Sequence, residues 1–335
     1  MPRELSINNF NISDDSDCYI IAEIGHNHQG NLEKAKLLFK TAAECGVNAV
    51  KLQKRHNKTL YTREMYEKPY ENENSFGPTY GAHREALEFG REQYVELQTY
   101  ARELGITMFA TAFDEASADF LAELEMPAYK IASGDLKNTP LLKHVAKIGK
   151  PVIISTGGGN LEDVQRAYDV ILPINRQLAI LQCTSSYPAE HHDMNLRVIE
   201  TYRGLFPRTV IGFSDHENGI AMATAAYVLG ARIVEQHFTV NHTWKGTDQV
   251  FSLEPIGMRK LVRDLRRVRE AMGDGVKRAL PSEADSMIKM GKHLVAASEL
   301  PKGHTLTKSD IAIKSPGKGL APYELEAVIG KTLKR

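Results

Sequence analysis

Short runs rich in β-branched and apolar residues recur along this chain, and most are followed by a stretch with helical periodicity. This alternation constrains the fold more than any other feature. The strand-like runs cover residues 19–25, 49–53, 107–113, 129–133, 152–157, 178–185, 209–216 and 232–239. Helical patterns between and after them include NLEKAKLLFKTAAECG, REQYVELQTYARELG, EASADFLAELEMP and GMRKLVRDLRRVREAMG, several stopping at glycine or proline. Parallel strands need crossover helices, and eight βα units in about 250 residues is the size of a closed (β/α)8 barrel. An open doubly wound sheet is the alternative. It usually has fewer strands and a glycine-rich first turn, whereas HNHQGN follows the first strand here.

Two segments break the alternation. Residues 54–92 form a long insert rich in Tyr, Asn, Glu, Gly and Pro, which reads either as a functional element or as a surface loop. Beyond about residue 275, short extended runs broken by PKGH and SPGKG read as a small β-rich appendage. The expected organisation is a barrel over residues 1–275 and a second domain over 282–335.

Lysine plus arginine equals aspartate plus glutamate at 42 each, so no global field favours nucleic acid or an anionic membrane, and any anion site must be local. The polar, acidic start MPRELSINNFNISDDSD does not read as a signal peptide, and no apolar run is long enough to span a membrane. Cys18, Cys45 and Cys183 are widely spaced and odd in number. They offer no disulfide framework and suit a reducing cytoplasm.

Barrel enzymes place their chemistry at the C-terminal ends of the strands. Those ends carry Glu23, Lys51, Gln53, Thr111, Asp114, Lys130, Ser133, Asp135, Ser155, Ser185, Ser214, Asp215, His216, Glu235 and His237. Buried strands carry charge at a cost, so polar residues at the same end of nearly every strand point to function. His216 (GFSDH) and His237 (EQHF) close the last two strands, where two imidazoles can share a catalytic metal with open positions. Lys51 and Lys130, with Ser133, Ser155, Ser185 and Ser214, supply cationic and hydroxyl donors for a phosphate and a carboxylate. The loop STGGG reads as an anion cradle or a plain turn, and His26 and His28 as site-lining or structural. His191 and His192 read as exposed.

The ordered motifs IAEIGHNHQGN, VKLQK, YKIASGD, ISTGG, QCTSSYP, GFSDH and VEQHFT resemble the sialic acid synthases (N-acetylneuraminate synthase and its close relatives) over almost the whole chain. The insert, with KPY, NSFG and TYGAHRE, is similar to the subgroup containing the animal enzymes. The C-terminal segment resembles the family's SAF (antifreeze-like) domain, which in relatives caps the partner's barrel in a domain-swapped homodimer. The resemblance implies a divalent metal, manganese first and magnesium or cobalt as alternatives, on His216 and His237. Lys51, Lys130, Ser133, Ser155, Ser214 and Ser185 would hold phosphoenolpyruvate, with Gln53 and Thr111 beside them. Glu23 and Glu235 would contact the sugar and move protons, and Tyr187 and Asp248 would line the sugar side. The implied reaction joins C3 of phosphoenolpyruvate to the aldehyde of open-chain N-acetylmannosamine and releases phosphate by C–O cleavage. Its 6-phosphate and a diacetamido-hexose are the other acceptors.

Two positions depart from the family pattern. Ser185 stands where relatives often have Asn, and Ser315, in Lys314-Ser315-Pro316-Gly317, where many bacterial relatives have a sugar-binding Arg. Lys314 and Lys318 are the nearby cations, and the chain stops at GKTLKR, sooner than the usual SAF domain. Readings of other classes are a metal-dependent pyruvate aldolase and a non-catalytic sugar-binding protein.

Overall fold

The strand-like runs become strands because they alternate in two senses at once. One stripe of each strand packs outward against helices, and the other fills the barrel interior. The computed structural model describes residues 3–317 and 319–334. Lys318 lies outside them. The chain forms two units, residues 1–272 and 273–335.

The first unit opens with an antiparallel hairpin, β1 (Glu4–Ile7) and β2 (Phe10–Ser13). Eight parallel strands follow: β3 (Tyr19–Gly25), β4 (Ala49–Lys54), β5 (Thr107–Ala112), β6 (Tyr129–Ile131), β7 (Val152–Ser155), β8 (Leu178–Cys183), β9 (Val210–Asp215) and β10 (Ile233–His237). They pair in sequence order, and β10 returns to β3 to close the barrel. A helix follows each strand, from Leu32–Cys45 after β3 to Pro255–Met272 after β10. The first shows why these stretches are helical. Asn31 caps its start by accepting the Lys34 N–H, and Gly46 ends it at φ 87°, a left-handed geometry that suits a residue without Cβ.

Inside the barrel each strand changes character along its length. Ile21, Ala49, Phe109, Ala128, Ile153, Leu181 and Ile233 belong to one apolar cluster in the lower interior. Two residues further along the same strands stand Glu23, Lys51, Thr111, Lys130, Ser155, Cys183 and Glu235, all lining a cavity. With a side-chain period of two, the inward stripe therefore runs from hydrocarbon at the bottom to polar groups at the top. The outward stripe, including Ile20, Ala22, Val50 and Leu52, packs with helix residues such as Leu38, Phe39 and Leu97.

The N-terminal hairpin was not legible from the polar start. Its Leu5, Ile7 and Ile12 are buried in the same cluster as the lower interior, so the hairpin plugs the bottom of the barrel. The insert is more ordered than a loop: it holds helices Asn57–Leu60, Arg63–Glu67 and Tyr80–Leu87 and a bridge between Pro69 and Thr79. Thr62 and Thr79 cap the latter two helices.

The second unit is less β-rich than its composition suggests. Its described residues contain an antiparallel pair, β11 (His293–Ala296) and β12 (Ile311–Lys314), a Thr305–Thr332 bridge and a helix at Ala284–Met290. No helix among the described residues is long and apolar enough to cross a membrane.

The plug has a measurable weight. Ile12→Ala removes a fully buried side chain and should destabilise the chain by about 2–5 kcal/mol in chemical denaturation. A loss below about 0.5 kcal/mol would show that the hairpin does not seal the interior.

Candidate active site

The polar upper ends of the barrel strands converge on one cavity of about 490 Å³, within the range of small-molecule sites. Each residue selected above for a catalytic, binding or metal role lines it. Glu23 comes from β3, Lys51 and Gln53 from β4, Thr111 from β5, Lys130 from β6 and Ser155 from β7. Ser214 belongs to β9, and Glu235 and His237 to β10. Ser133, Ser185, Tyr187, His216 and Asp248 lie on the loops just beyond strands. Strand register sets these neighbours: Glu23 stands opposite Lys51 on one side and His237 on the other, and Thr111 opposite Lys130.

Four buried charges form the floor. Lys51 Nζ lies 2.5 Å from Glu23 Oε2 and 3.6 Å from Glu235 Oε1, and Lys130 Nζ lies 3.7 Å from the same Glu235 oxygen. Lys51 also donates to Thr111 Oγ1 at 2.7 Å, and Gln53 donates to Glu23 Oε1 at 2.6 Å. The two carboxyls are driven apart in acidity. Burial raises the Glu23 pKa against the pull of Lys51, with Glu235 adding to the rise. Burial acts on Glu235 in the same sense, but Lys130 and Lys51 outweigh it and hold that carboxyl below its ordinary value. Such a pair divides naturally into a proton carrier and a fixed anion.

His216 and His237 meet with ring centroids 5.3 Å apart. His216 Nδ1 lies 2.8 Å from the Thr184 carbonyl, which can only accept, so Nδ1 carries the proton and Nε2 keeps its lone pair. Burial lowers the basicity of His216, but Cys183 Sγ, 3.9 Å from Nδ1, and the Thr184 carbonyl raise it above the ordinary value. Burial lowers His237 to a pKa of about 3, leaving it neutral, and its Nδ1 is buried with no hydrogen-bond partner. Two imidazoles with available lone pairs and an oriented support fit a divalent cation. Among the described residues no group of three His, Cys, Asp or Glu side chains forms a complete ligand set, so the histidine pair is the protein's evident contribution.

The hydroxyls depend on close loop packing. Ser133 Oγ accepts the Gly157 N–H at 3.0 Å, and a Cβ on Gly157 would fall 2.1 Å from Ser185 Oγ. Glycine is required there for the loop to pass behind the serines. Within STGGG, Ser155 lines the cavity while the Gly157 N–H is committed to Ser133, so that glycine serves as a supporting turn. Other strand-end residues also serve the scaffold. Asp114 caps the helix Glu115–Glu123 through the Ser117 N–H at 2.7 Å, Asp135 accepts from Asn138 at 3.0 Å, and Asp215 accepts the Glu217 N–H at 3.0 Å. His28 stacks on Phe89 at 4.2 Å, outside the cavity wall, and His191 and His192 are exposed. In the second unit, Ser315 Oγ accepts from Lys292 Nζ at 2.8 Å, a contact no sequence pattern announces.

The sequence reading missed Arg55 and Arg84, which also line the cavity. Arg55 follows β4 and stacks on Phe113, its guanidinium carbon 3.6 Å from the ring centre. Arg84 comes from the insert helix Tyr80–Leu87 and donates to its own Tyr80 hydroxyl at 2.8 and 3.0 Å. A basic residue inside a variable, polar segment carries no periodic signal, so only the folded insert reveals where Arg84 goes.

With this geometry established, comparison with known proteins places the chain. Residues 38–277 match the model of the NeuB family and residues 292–335 that of the SAF domain. N-acetylneuraminate-9-phosphate synthases of Mus musculus and Homo sapiens are each 44% identical over 94% of this chain and 88% of their own length. The crystal structure of an N-acetylneuraminic acid synthetase from Leptospira borgpetersenii superposes with a TM-score of 0.75 at 31% identity, covering 86% of this chain and 96% of that one. Barrel, tail and polar rim agree with this likeness along the length of the molecule, and the chain belongs to the NeuB family of sialic acid synthases.

Proposed function

We propose that this chain condenses phosphoenolpyruvate with the open-chain aldehyde of an N-acyl amino-sugar, giving a sialic-acid-type sugar and inorganic phosphate. The supporting observation is the convergence of the charge-paired lysines, the serine hydroxyls and the histidine pair in one cavity of a NeuB-family barrel. Lys51 and Lys130, with Ser133, Ser155, Ser185 and Ser214, hold the phosphate and carboxylate of phosphoenolpyruvate. Thr111 fixes the Lys51 ammonium, and Gln53 fixes Glu23. His216 and His237 would bind a divalent cation, manganese first and magnesium or cobalt as alternatives, whose Lewis acidity would polarise the acceptor carbonyl.

The π pair of phosphoenolpyruvate forms the bond from C3 to the aldehyde carbon, and the carbonyl pair becomes a hydroxyl that takes its proton from Glu23. Water adds at C2 and gives up a proton, which restores Glu23, and the C2–O bond to phosphate breaks as the new C2 hydroxyl becomes the keto group, its proton leaving with the phosphate. Glu235 stays ionised between the lysines and offsets positive charge at C2. Tyr187, whose ring centre lies 4.3 Å from that of His216, and Asp248 bound the sugar side. N-acetylmannosamine or its 6-phosphate is the acceptor, the latter favoured by the 9-phosphate products named for the mouse and human relatives. We place the enzyme in the cytoplasm, where its three free, buried cysteines stay reduced. We also assign it a homodimer in which the SAF domain of one protomer caps its partner.

Phosphate release from phosphoenolpyruvate, with manganese and each acceptor in turn, tests the reaction. Chelator-sensitive release dependent on an acceptor is expected, whereas free pyruvate serving as donor would identify an aldolase. His237→Ala should cut release at least about a thousandfold. Unchanged turnover would remove the metal from His237. Glu23→Gln should lower kcat by about 10²- to 10⁴-fold with little change in phosphoenolpyruvate affinity measured by calorimetry. An unaltered kcat would move the proton role elsewhere.

A further inference from the structure

Thr247 and Asp248 line the cavity from the connection between β10 and the helix Pro255–Met272. That connection, residues 238–254, holds a bridge from Phe238 to Leu253 and no helix or strand. Irregular chain of this length aims a side chain only where other segments hold it. Gly246 loosens the loop further, just before the lining pair. It stands at φ 140°, a region that residues with a Cβ rarely adopt.

The loop is tied down at both ends. On the Asp248 side, Asn27, buried just beyond β3, donates to the Phe238 carbonyl and to Ser252 Oγ, both at 2.9 Å, and its own carbonyl accepts from Gln249 at 3.1 Å. On the Gly246 side, Gln29 donates to the Lys245 carbonyl at 2.6 Å, and the Lys34 ammonium lies 4.8 Å from the Trp244 ring centre. The remaining ties come from the insert. Asn74 Oδ1 accepts the Gly246 N–H at 2.9 Å, and the Lys245 ammonium lies 4.8 Å from the Phe76 ring centre.

The insert can bear on the loop because it is itself anchored. Asn72 Oδ1 accepts the Asn74 N–H at 2.9 Å, and the Asn72 carbonyl accepts the Ser75 N–H at 3.0 Å. His83 Nδ1 accepts the Phe76 N–H at 3.1 Å. Burial, with the Arg84 charge beside it, lowers His83 to a pKa of about 4, so the ring is neutral and able to accept. The same helix, Tyr80–Leu87, reaches the barrel through Arg84, 3.4 Å from His26 Nδ1, while Arg55 beyond β4 lies 3.3 Å from His26 Nε2. A chain of contacts thus runs from the barrel through the helix and the 72–76 turn to Gly246.

We propose that Asn74 is a positioning residue for the acceptor sugar: by holding the Gly246 N–H it fixes the loop that presents Thr247 and Asp248, and the insert is a strut of the acceptor subsite. Without that bond the glycine regains backbone freedom, and the sugar has to order the loop as it binds. None of the groups assigned to phosphoenolpyruvate lies on the loop or on the insert, so the effect falls on the acceptor alone. This inference rests on the condensation reading above and adds a residue to it.

The test compares wild type, Asn74→Ala and Asn74→Asp as full chains with manganese. Asn74→Asp keeps an acceptor oxygen, and Asn74→Ala does not. Amide hydrogen exchange read by mass spectrometry should quicken around Gly246 in Asn74→Ala and return toward wild type in Asn74→Asp. Steady-state phosphate release uses N-acetylmannosamine and its 6-phosphate. Asn74→Ala should raise the acceptor KM about threefold to tenfold, the worth of one hydrogen bond, with the KM for phosphoenolpyruvate unchanged and Asn74→Asp restoring the acceptor KM. Thermal melting should match wild type, since Asn74 is half-buried at the domain edge. Unaltered exchange in Asn74→Ala would overturn the strut. An unaltered acceptor KM, an equal rise in both KM values, or no restoration by Asn74→Asp would overturn the positioning role and leave the condensation intact. If neither acceptor supports phosphate release, the condensation reading fails, and calorimetry with N-acetylmannosamine 6-phosphate decides the subsite. Weaker binding in Asn74→Ala would uphold it, and absent or Asn74-independent binding would overturn it.

Discussion

Everything at the mouth of this barrel depends on keeping Lys51, Glu23, Glu235 and Lys130 charged or near-charged inside a protein interior. Taken singly, each would be expelled or neutralised, because removing an ion from water costs more than packing returns. They persist as a group because the closed barrel turns the inward stripes of β3, β4, β6 and β10 toward one another and brings opposite charges within 2.5–3.7 Å. The apolar layer beneath and the N-terminal plug below that layer exclude water from the bottom. The floor is thus fixed before any substrate arrives. Preorganised charge of this kind stabilises a developing charge without having to reorganise for it.

On this floor the ring of strands separates two kinds of task. One sector, from β6 to β9, presents small hydroxyls at strand ends and on the loops beyond them, packed so closely that Gly157 has no room for a Cβ. The opposite sector, over β3 and β4, presents large side chains with delocalised charge, braced by stacking and by Gln53. Short serines suit a ligand held deep and close.

Much of this site was legible without coordinates. A polar residue two positions beyond an apolar one, repeated at the same end of strand after strand, is a pattern that packing does not generate, and it led to the cavity-lining set. Asp114, Asp135 and Asp215 satisfied the same rule and proved to serve the scaffold, the first and last by accepting backbone N–H groups and Asp135 by accepting from the Asn138 side chain. A strand end is also a helix start, and short carboxylates are good caps. The STGGG run was readable in two ways for a related reason. Glycine permits an anion to approach the backbone, and equally permits another loop to do so, and only the position of Ser185 distinguishes the two.

The sequence by itself determined the closed barrel, the polar rim and the identity of the deep residues, because strand periodicity and the C-terminal-end rule act locally and repeat eight times. The tertiary structure alone decided the hairpin that seals the bottom, the ordering of the insert, and the meeting of Arg55 and Arg84 around His26. Those features join segments far apart in sequence through contacts of a few side chains. No period marks such contacts, so their partners are fixed only when the chain closes on itself.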